Sequence, residues 1–413
     1  MNPFEKLGID EDFNPFFKEQ NIENPTEIQN KAIPLLLKRQ SIMGLSQTGT
    51  GKTLAYALPI SEMIKTTEDE QGLSQKKSKP NAIIVVPTKE LAVQIQGVFK
   101  QISHHVKLRV RTLVGAPKAS AALKAQSYEI LIATPSKLSR AVRRSEVSVE
   151  QLKYLVFDEA DQLFDMGFRK DIEGFLGFVD YTDTDIHFFS ATMSSEVDLF
   201  LDEKFKKKKI ERVILSSAHR VQQKVETFNI FVTVGEKMQM LKLFLEKTAK
   251  GRGIVFINQK NQVEEVDAFL KEHMPKLKYK VLHGGLTQKD RLANHKAFVE
   301  KKAQVLVASD VAARGIDIKD IEWIFNFGLP KTAIYYLHRC GRTGRAGKQG
   351  IVYNLVTNFD TKIISFINKA IQEQTTLDID LIAKDMKTVR SQKQKNTPAK
   401  KTKRVKVTKR TRL

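Results

Sequence analysis

The chain has 413 residues, 41% of them apolar, and a formal net charge of +22. That length exceeds one ordinary core and argues for two or three domains, no run of 18 apolar residues is present to span a membrane, and a single cysteine, Cys340, excludes an internal disulfide and fits a reducing cytoplasm. A positive balance of this size points to a polyanionic partner, although solvated lysine runs would give the same number; the stretch from Lys387 to Arg412 carries twelve cations and no acid, which leaves the body at about +10.

The opening MNPFEKLGIDEDF is acidic and has no apolar signal-peptide region. From there, short apolar runs ending in small or polar residues recur. They are SIMGLS (41–46), AIIVVPT (82–88), EILIATP (129–135), YLVFDEAD (154–161) and IHFFSAT (186–192). The later ones are GIVFIN (253–258), YKVLHGG (279–285), QVLVASD (304–310), WIFNFG (323–328) and IVYNLV (351–356). Such runs read as strands buried on both faces. Amphipathic stretches such as TKELAVQIQGVFKQIS (88–103) and QVEEVDAFLKEHM (262–274) lie between them, so strand and helix alternate. The expectation is an α/β chain of two tandem domains, each a parallel sheet flanked by helices, over residues 1–215 and 225–372. Residues 216–224 form a linker and 373–413 a largely disordered basic tail. The charged segments 65–81 and 204–209 read as a surface loop and a solvated run. Polar clusters follow the strands directly, and in open parallel sheets ligands bind beyond the carboxyl ends of strands.

GLSQTGTGKT (44–53) joins a strand to the helical TLAYALPISEMI, the context of a phosphate-binding loop, with Ser46 where the pattern asks for glycine. The N–H groups from Thr48 to Thr53 would cradle phosphates, Lys52 would reach the β- and γ-phosphates, and the Thr53 hydroxyl would ligate Mg2+. About 105 residues on, a buried strand ends in Asp158-Glu159. Asp158 would hold Mg2+ and Glu159 would act as general base on the attacking water, whereas an acidic helix start is the plain alternative.

With GKT, DEAD, SAT and HRCGRTGRAG (338–347) in this order, the chain resembles the DEAD-box RNA helicases of superfamily 2 over roughly residues 4–360. A compact core with a short basic tail resembles bacterial members most. The resemblance implies two RecA-like domains and an ATP-dependent RNA helicase using ATP and Mg2+. It makes Gln47, Thr48, Gly49, Thr50, Gly51, Lys52 and Thr53 the phosphate loop, whose outer position is usually alanine in the family. Phe4 and Gln29, within NPTEIQ, become the adenine element, and Asn21-Ile22 replaces the usual glycine-aromatic pair. Ser190 and Thr192 would couple nucleotide state to domain closure near Asp161, with His338 in the same role. Arg342 and Arg345 would be arginine fingers, and Gly315 and Asp317 would face the ribose.

RNA backbone contacts are implied for Pro87, Thr88 and Lys89, for Gly115, for Thr134, Pro135 and Lys137, and for Gln288, Arg291, Ser309 and Asp310. Lys89 and Lys137 stand where the family has arginine, and Ala116 and Ser136 where it has glycine. Lysine loses the bidentate fork and the added side chains restrict backbone approach, so RNA affinity of the core is expected to be weaker than usual. Local unwinding of short duplexes is the implied activity. An ATP-gated RNA clamp or annealing chaperone is the alternative. The RNA partner would be bound without sequence preference.

Overall fold

The computed structural model describes residues 2–47, 49–72, 77–115, 122–215, 225–310, 321–330, 332–344 and 349–373. Thr48, Ala116, Gly315, Asp317, Arg345, the expected linker and the tail beyond 373 therefore lie outside the described residues. The chain divides into two units, Met1–Ala218 and His219–Leu413.

In the first unit, strands β1 (Ile42–Leu45), β2 (Ala82–Val85), β3 (Val110–Leu113), β4 (Ile130–Ala133), β5 (Tyr154–Asp158), β6 (Asp185–Ser190) and β7 (Glu211–Ile214) form one parallel sheet. Its order is β3-β4-β2-β5-β6-β1-β7. Among the described residues eight helices flank it: α1 (Asn14–Glu19), α2 (Glu27–Leu37), α3 (Lys52–Gln71), α4 (Lys89–Val106), α5 (Pro135–Arg143), α6 (Ala160–Asp165), α7 (Arg169–Leu176) and α8 (Ser195–Lys204). Alternate strand residues feed two cores. Ile42, Ile84, Val156 and Phe189 pack with α1 to α4, and Met43, Val85, Phe157 and Phe188 pack with α5 to α8. The charged segment 65–81, expected as a loop, begins with the last turns of α3, because Lys65 and Asp69 pair at i, i+4 and prolong the helix into solvent.

The second unit repeats the plan with β8 (Val225–Phe231), β9 (Gly253–Ile257), β10 (Tyr279–Leu282), β11 (Val305–Ser309), β12 (Trp323–Asn326) and β13 (Gly350–Val356) in the order β10-β11-β9-β12-β13-β8. Helices α9 (Lys237–Lys247) and α10 (Lys260–His273) cover one face; α11 (Gln288–Val299), α12 (Ala333–Cys340) and α13 (Thr361–Gln372) contribute to the core on the other. All ten strands read from apolar runs are present.

One core residue breaks the pattern. His187, on β6 opposite Val156, is fully buried on the face it shares with Phe189, and neither ring nitrogen has a hydrogen-bond partner among the described residues. Burial, reinforced by Lys208 and Arg39, holds its pKa down at about 3, against 6.5 for an ordinary imidazole. The folded pKa lies below the unfolded one, so the unfolded chain binds the extra proton and stability is lost as pH falls below about 6.5. The first unit should lose about 2 kcal/mol between pH 7 and pH 5 from this residue alone. His187→Leu should remove that loss, read as the urea midpoint of the far-UV dichroism transition at both pH values. An equal acid loss in both proteins would dismiss His187 as the cause.

Candidate nucleotide and RNA site

The loop after β1 starts deep in the sheet, since β1 is paired on both sides, with β6 and β7. Gly51 ends it at φ +92, and a Cβ there would sit 2.4 Å from Gln29 Nε2, so both backbone and space demand glycine. Gln29 Nε2 donates to the Gly51 carbonyl (3.0 Å), and Gln29 Oε1 accepts from Thr26 N–H (2.9 Å) as part of the cap of α2. The adenine-element glutamine is thus tied to the phosphate loop. Ser46 explains itself: its hydroxyl lies 2.8 Å from Thr50 Oγ1, which donates to the Gln47 carbonyl (2.8 Å). A hydroxyl at the outer position therefore closes the loop on itself. Lys52 Nζ donates to the carbonyls of Ser46 (2.7 Å) and Gln47 (3.0 Å), which holds the ammonium over the loop, and Thr53 follows it in the first turn of α3.

Phe4 departs from the expectation. Its ring is fully buried and stacks on Phe17 at 4.1 Å, so it packs the N-terminal segment onto α1 and offers no open face to a base.

The two acidic residues sit beside this loop because β5 and β1 flank β6. Asp158 ends β5; its Oδ2 accepts from Tyr56 OH (2.8 Å) and its Oδ1 from Glu159 N–H (2.8 Å). Burial, and then the adjacent Glu159 carboxylate, push the Asp158 carboxyl up to about 6, with Lys52 opposing. Tyr56 carries no motif signal; its role follows from lying one turn beyond Lys52 on α3, and burial beside Asp158 raises its pKa as well. Glu159 adopts a left-handed conformation, φ 50 and ψ 52, at the strand-to-helix turn. For a residue with a Cβ this costs on the order of 1 kcal/mol. Strain of this kind is retained where it aims a functional side chain. Here the carboxylate accepts from Gln162 Nε2 at 3.1 Å.

SAT links the two motifs. Ser190 O accepts from Ser46 N–H (3.1 Å), and Ser190 Oγ accepts from Asp161 N–H (3.2 Å). Asp161 Oδ2 accepts from Thr192 N–H (3.1 Å) and from the Thr192 hydroxyl. A path of hydrogen bonds thus runs from the phosphate loop through Ser190 to Asp161.

Sheet order then sorts the remaining motifs. The loops after β1, β5 and β6 carry the phosphate, acidic and SAT residues, and these three strands are neighbours. The loops after β2, β3 and β4 carry the expected RNA contacts, and those three are also neighbours. Pro87 precedes Thr88, whose hydroxyl caps α4 by accepting from Leu91 N–H (3.2 Å), and Lys89 opens the helix. Gly115 follows β3 at φ +96. Thr134, Pro135 and Lys137 start α5, with Thr134 O accepting from Lys137 and Leu138 N–H. Ser136, in place of the family glycine, donates its hydroxyl to Asp171 on α7.

In the second unit Ser309 ends β11, and Gln288 and Arg291 lie in the first turns of α11. His338 and Arg339 share the last turn of α12, with Arg342 just beyond. Asp310 does not stand open to a phosphate: both its oxygens accept from Arg339, at 2.6 and 2.7 Å.

A phosphate loop at the start of a helix, an Asp-Glu pair on the next strand but one, and two three-layer parallel-sheet units define a RecA-like nucleotide-binding protein of two domains. The family models agree: residues 26–200 match the DEAD/DEAH box helicase model and residues 236–347 the helicase conserved C-terminal domain. DEAD-box ATP-dependent RNA helicase 39 of Arabidopsis thaliana is 33% identical over 91% of this chain and 62% of its own length. RhpA of Helicobacter pylori strain B128, a DEAD-box ATP-dependent RNA helicase, is 32% identical over 91% of this chain and 73% of its own. Among solved structures, S. cerevisiae Dbp5 bound to RNA and ADP BeF3 matches with TM-score 0.78 and 25% identity, over 94% of this chain and 100% of that one. The chain belongs to the DEAD-box family of ATP-dependent RNA helicases.

Proposed function

We propose that this chain is an RNA-stimulated ATPase that grips RNA and separates short duplexes. The observation that carries this reading is the division of the first sheet, with nucleotide chemistry on β5, β6 and β1 and the RNA loops on β3, β4 and β2. ATP phosphates bind at the N–H groups opening α3 and at Lys52, which exchanges its two loop carbonyls for phosphate oxygens. Gln29 retains one N–H and one lone pair for the adenine edge. Two adjoining carboxyls, one held above its ordinary range, are a hard oxygen donor set that suits Mg2+, so Asp158 and the Thr53 hydroxyl would hold it. When bound, that ion neutralises phosphate charge. Glu159 accepts the proton of the attacking water, and Arg342 and Arg345 meet the charge that develops on the transferred phosphoryl group.

Lys89, Gly115 and the α5 start bind RNA phosphates, with Gln288, Arg291 and Ser309 from the second unit. A cytoplasmic location is part of this proposal; the single thiol, Cys340, is buried with its pKa pushed up to about 12 and so inert.

The test compares ATP turnover with single-stranded RNA, with DNA of the same sequence and with neither, alongside strand separation of a short RNA duplex. RNA should stimulate turnover at least tenfold (~1.4 kcal/mol of barrier) and DNA should not. Turnover indifferent to RNA would refute the proposal. Stimulation without strand separation would reduce it to the clamp.

A further inference from the structure

Helix α5 carries Lys137, Arg140 and Arg143, and Arg144 caps it. Its other face, Pro135, Leu138, Ser139, Ala141 and Val142, is buried, which leaves the cations on the outer side. Lys137, Arg140 and Arg144 recur at i, i+3 and i+7 and so share one stripe about 10 Å long, the reach of roughly three successive phosphates of a strand.

None of these four side chains makes an ion pair or a hydrogen bond among the described residues. The neighbouring surface is neutralised instead: Arg169 pairs with Glu173 and Glu203, and Lys204 with Glu173. Like charges at these spacings repel along a helix. The helix C-terminus favours Arg143 and Arg144, but it does nothing for Lys137, which stands at the end where a cation is disfavoured. A second observation concerns Arg143. Gly174 lies inside α7, where glycine weakens a helix, and a Cβ there would come within 2.2 Å of Arg143 Nη2 and 2.9 Å of Ser139 Oγ. The missing Cβ leaves room for the Arg143 guanidinium beside α7. The Ser136–Asp171 hydrogen bond ties the start of α5 to the same helix.

Resting on the RNA reading above, we propose that the outer face of α5 continues the RNA track past the loop contacts. Arg140 and Arg144 take successive backbone phosphates beyond Lys137, and Arg143, seated by Gly174, borders them. The stripe offsets part of the grip lost through Lys89 and Lys137 in place of arginine.

The experiment titrates the full-length protein with oligouridylate and a nonhydrolysable ATP analogue over a range of salt concentrations. The double variant Arg140→Gln/Arg144→Gln is compared with Lys276→Gln/Lys278→Gln, which removes the same charge from exposed lysines on the second unit. The α5 pair should lose about tenfold in affinity, and its log–log salt slope should flatten by about 1.4, for two phosphates at ~0.7 each. Gly174→Ala, which displaces Arg143 and leaves the charge intact, should also weaken binding. Equal affinity and slope for the two double variants would overturn the proposal, including the case where the α5 pair instead abolishes binding to an acidic protein. Failure of the wild-type chain to bind RNA at all would fall on the broader functional reading, not on the stripe.

Discussion

Glu159→Gln should lower RNA-stimulated ATP turnover by roughly two to four orders of magnitude while nucleotide affinity changes by less than about threefold. The amide keeps the size of the side chain and can still accept from Gln162 Nε2, so the left-handed turn at residue 159 is preserved. What disappears is basicity. The substitution also removes the neighbouring charge that helps to raise Asp158, so the carboxyl assigned to Mg2+ ionises more readily and binding does not suffer. Single-turnover hydrolysis beside equilibrium binding of a fluorescent ATP analogue separates the two effects. Turnover within about tenfold of wild type, with RNA stimulation intact, would take Glu159 out of the base role.

The strands most readily read in the sequence are those buried on both faces. β2, β4, β5, β9 and β11 are wholly buried and appear as uninterrupted β-branched or aromatic runs. Three strands escaped: β3, β7 and β8. All three are sheet edges, and their residues Arg111, Glu211, Arg212 and Glu226 break the apolar run because one side meets solvent. β8 begins at Val225, where the sequence carries no strand signal.

Site residues followed the same logic. Those whose chemistry depends on local spacing, from Gly51 to Thr53 and from Asp158 to Asp161, were legible. Tyr56 was not, because its partner lies 102 positions away and only the fold brings them together. Ser46 looked like a defect in a pattern and proves to be a hydrogen-bonding part of the loop. Phe4 shows the converse: a residue assigned by resemblance whose ring is spent on packing.

Arg339 makes the same point with more at stake, since it stands in HRCGRTGRAG beside Arg342 and Arg345 and the resemblance gives a role at the phosphate only to those two. Its five N–H groups are all used: Nε and Nη2 on Asp310, Nη1 on Asn326 Oδ1 (2.9 Å) and Gly328 O (2.8 Å), and Nη2 also on Asn258 Oδ1 (2.7 Å). The chain of bonds continues across the sheet from Asn326 to Asn354 (2.7 Å), Asn229 (2.9 Å) and Asn368 on α13 (3.0 Å), the first three in register on β12, β13 and β8. Arg339→Met would strand a carboxylate and three other acceptors, which costs about 3–5 kcal/mol. Trp323, the single tryptophan, is buried on β12, so its fluorescence follows the second unit specifically. Its urea midpoint should fall by roughly 1–3 M, the first unit's dichroism transition should stay in place, and turnover should drop because Arg342 hangs from the same turn. Arg339→Lys should recover only part, because three donors on one nitrogen cannot reach acceptors spread around a planar fork. Adding Asp310→Asn to Arg339→Met should regain at least about 1 kcal/mol, since the unpaired, partly buried charge is then gone. A tryptophan midpoint unmoved by Arg339→Met would mean that this guanidinium contributes nothing to holding the second unit together.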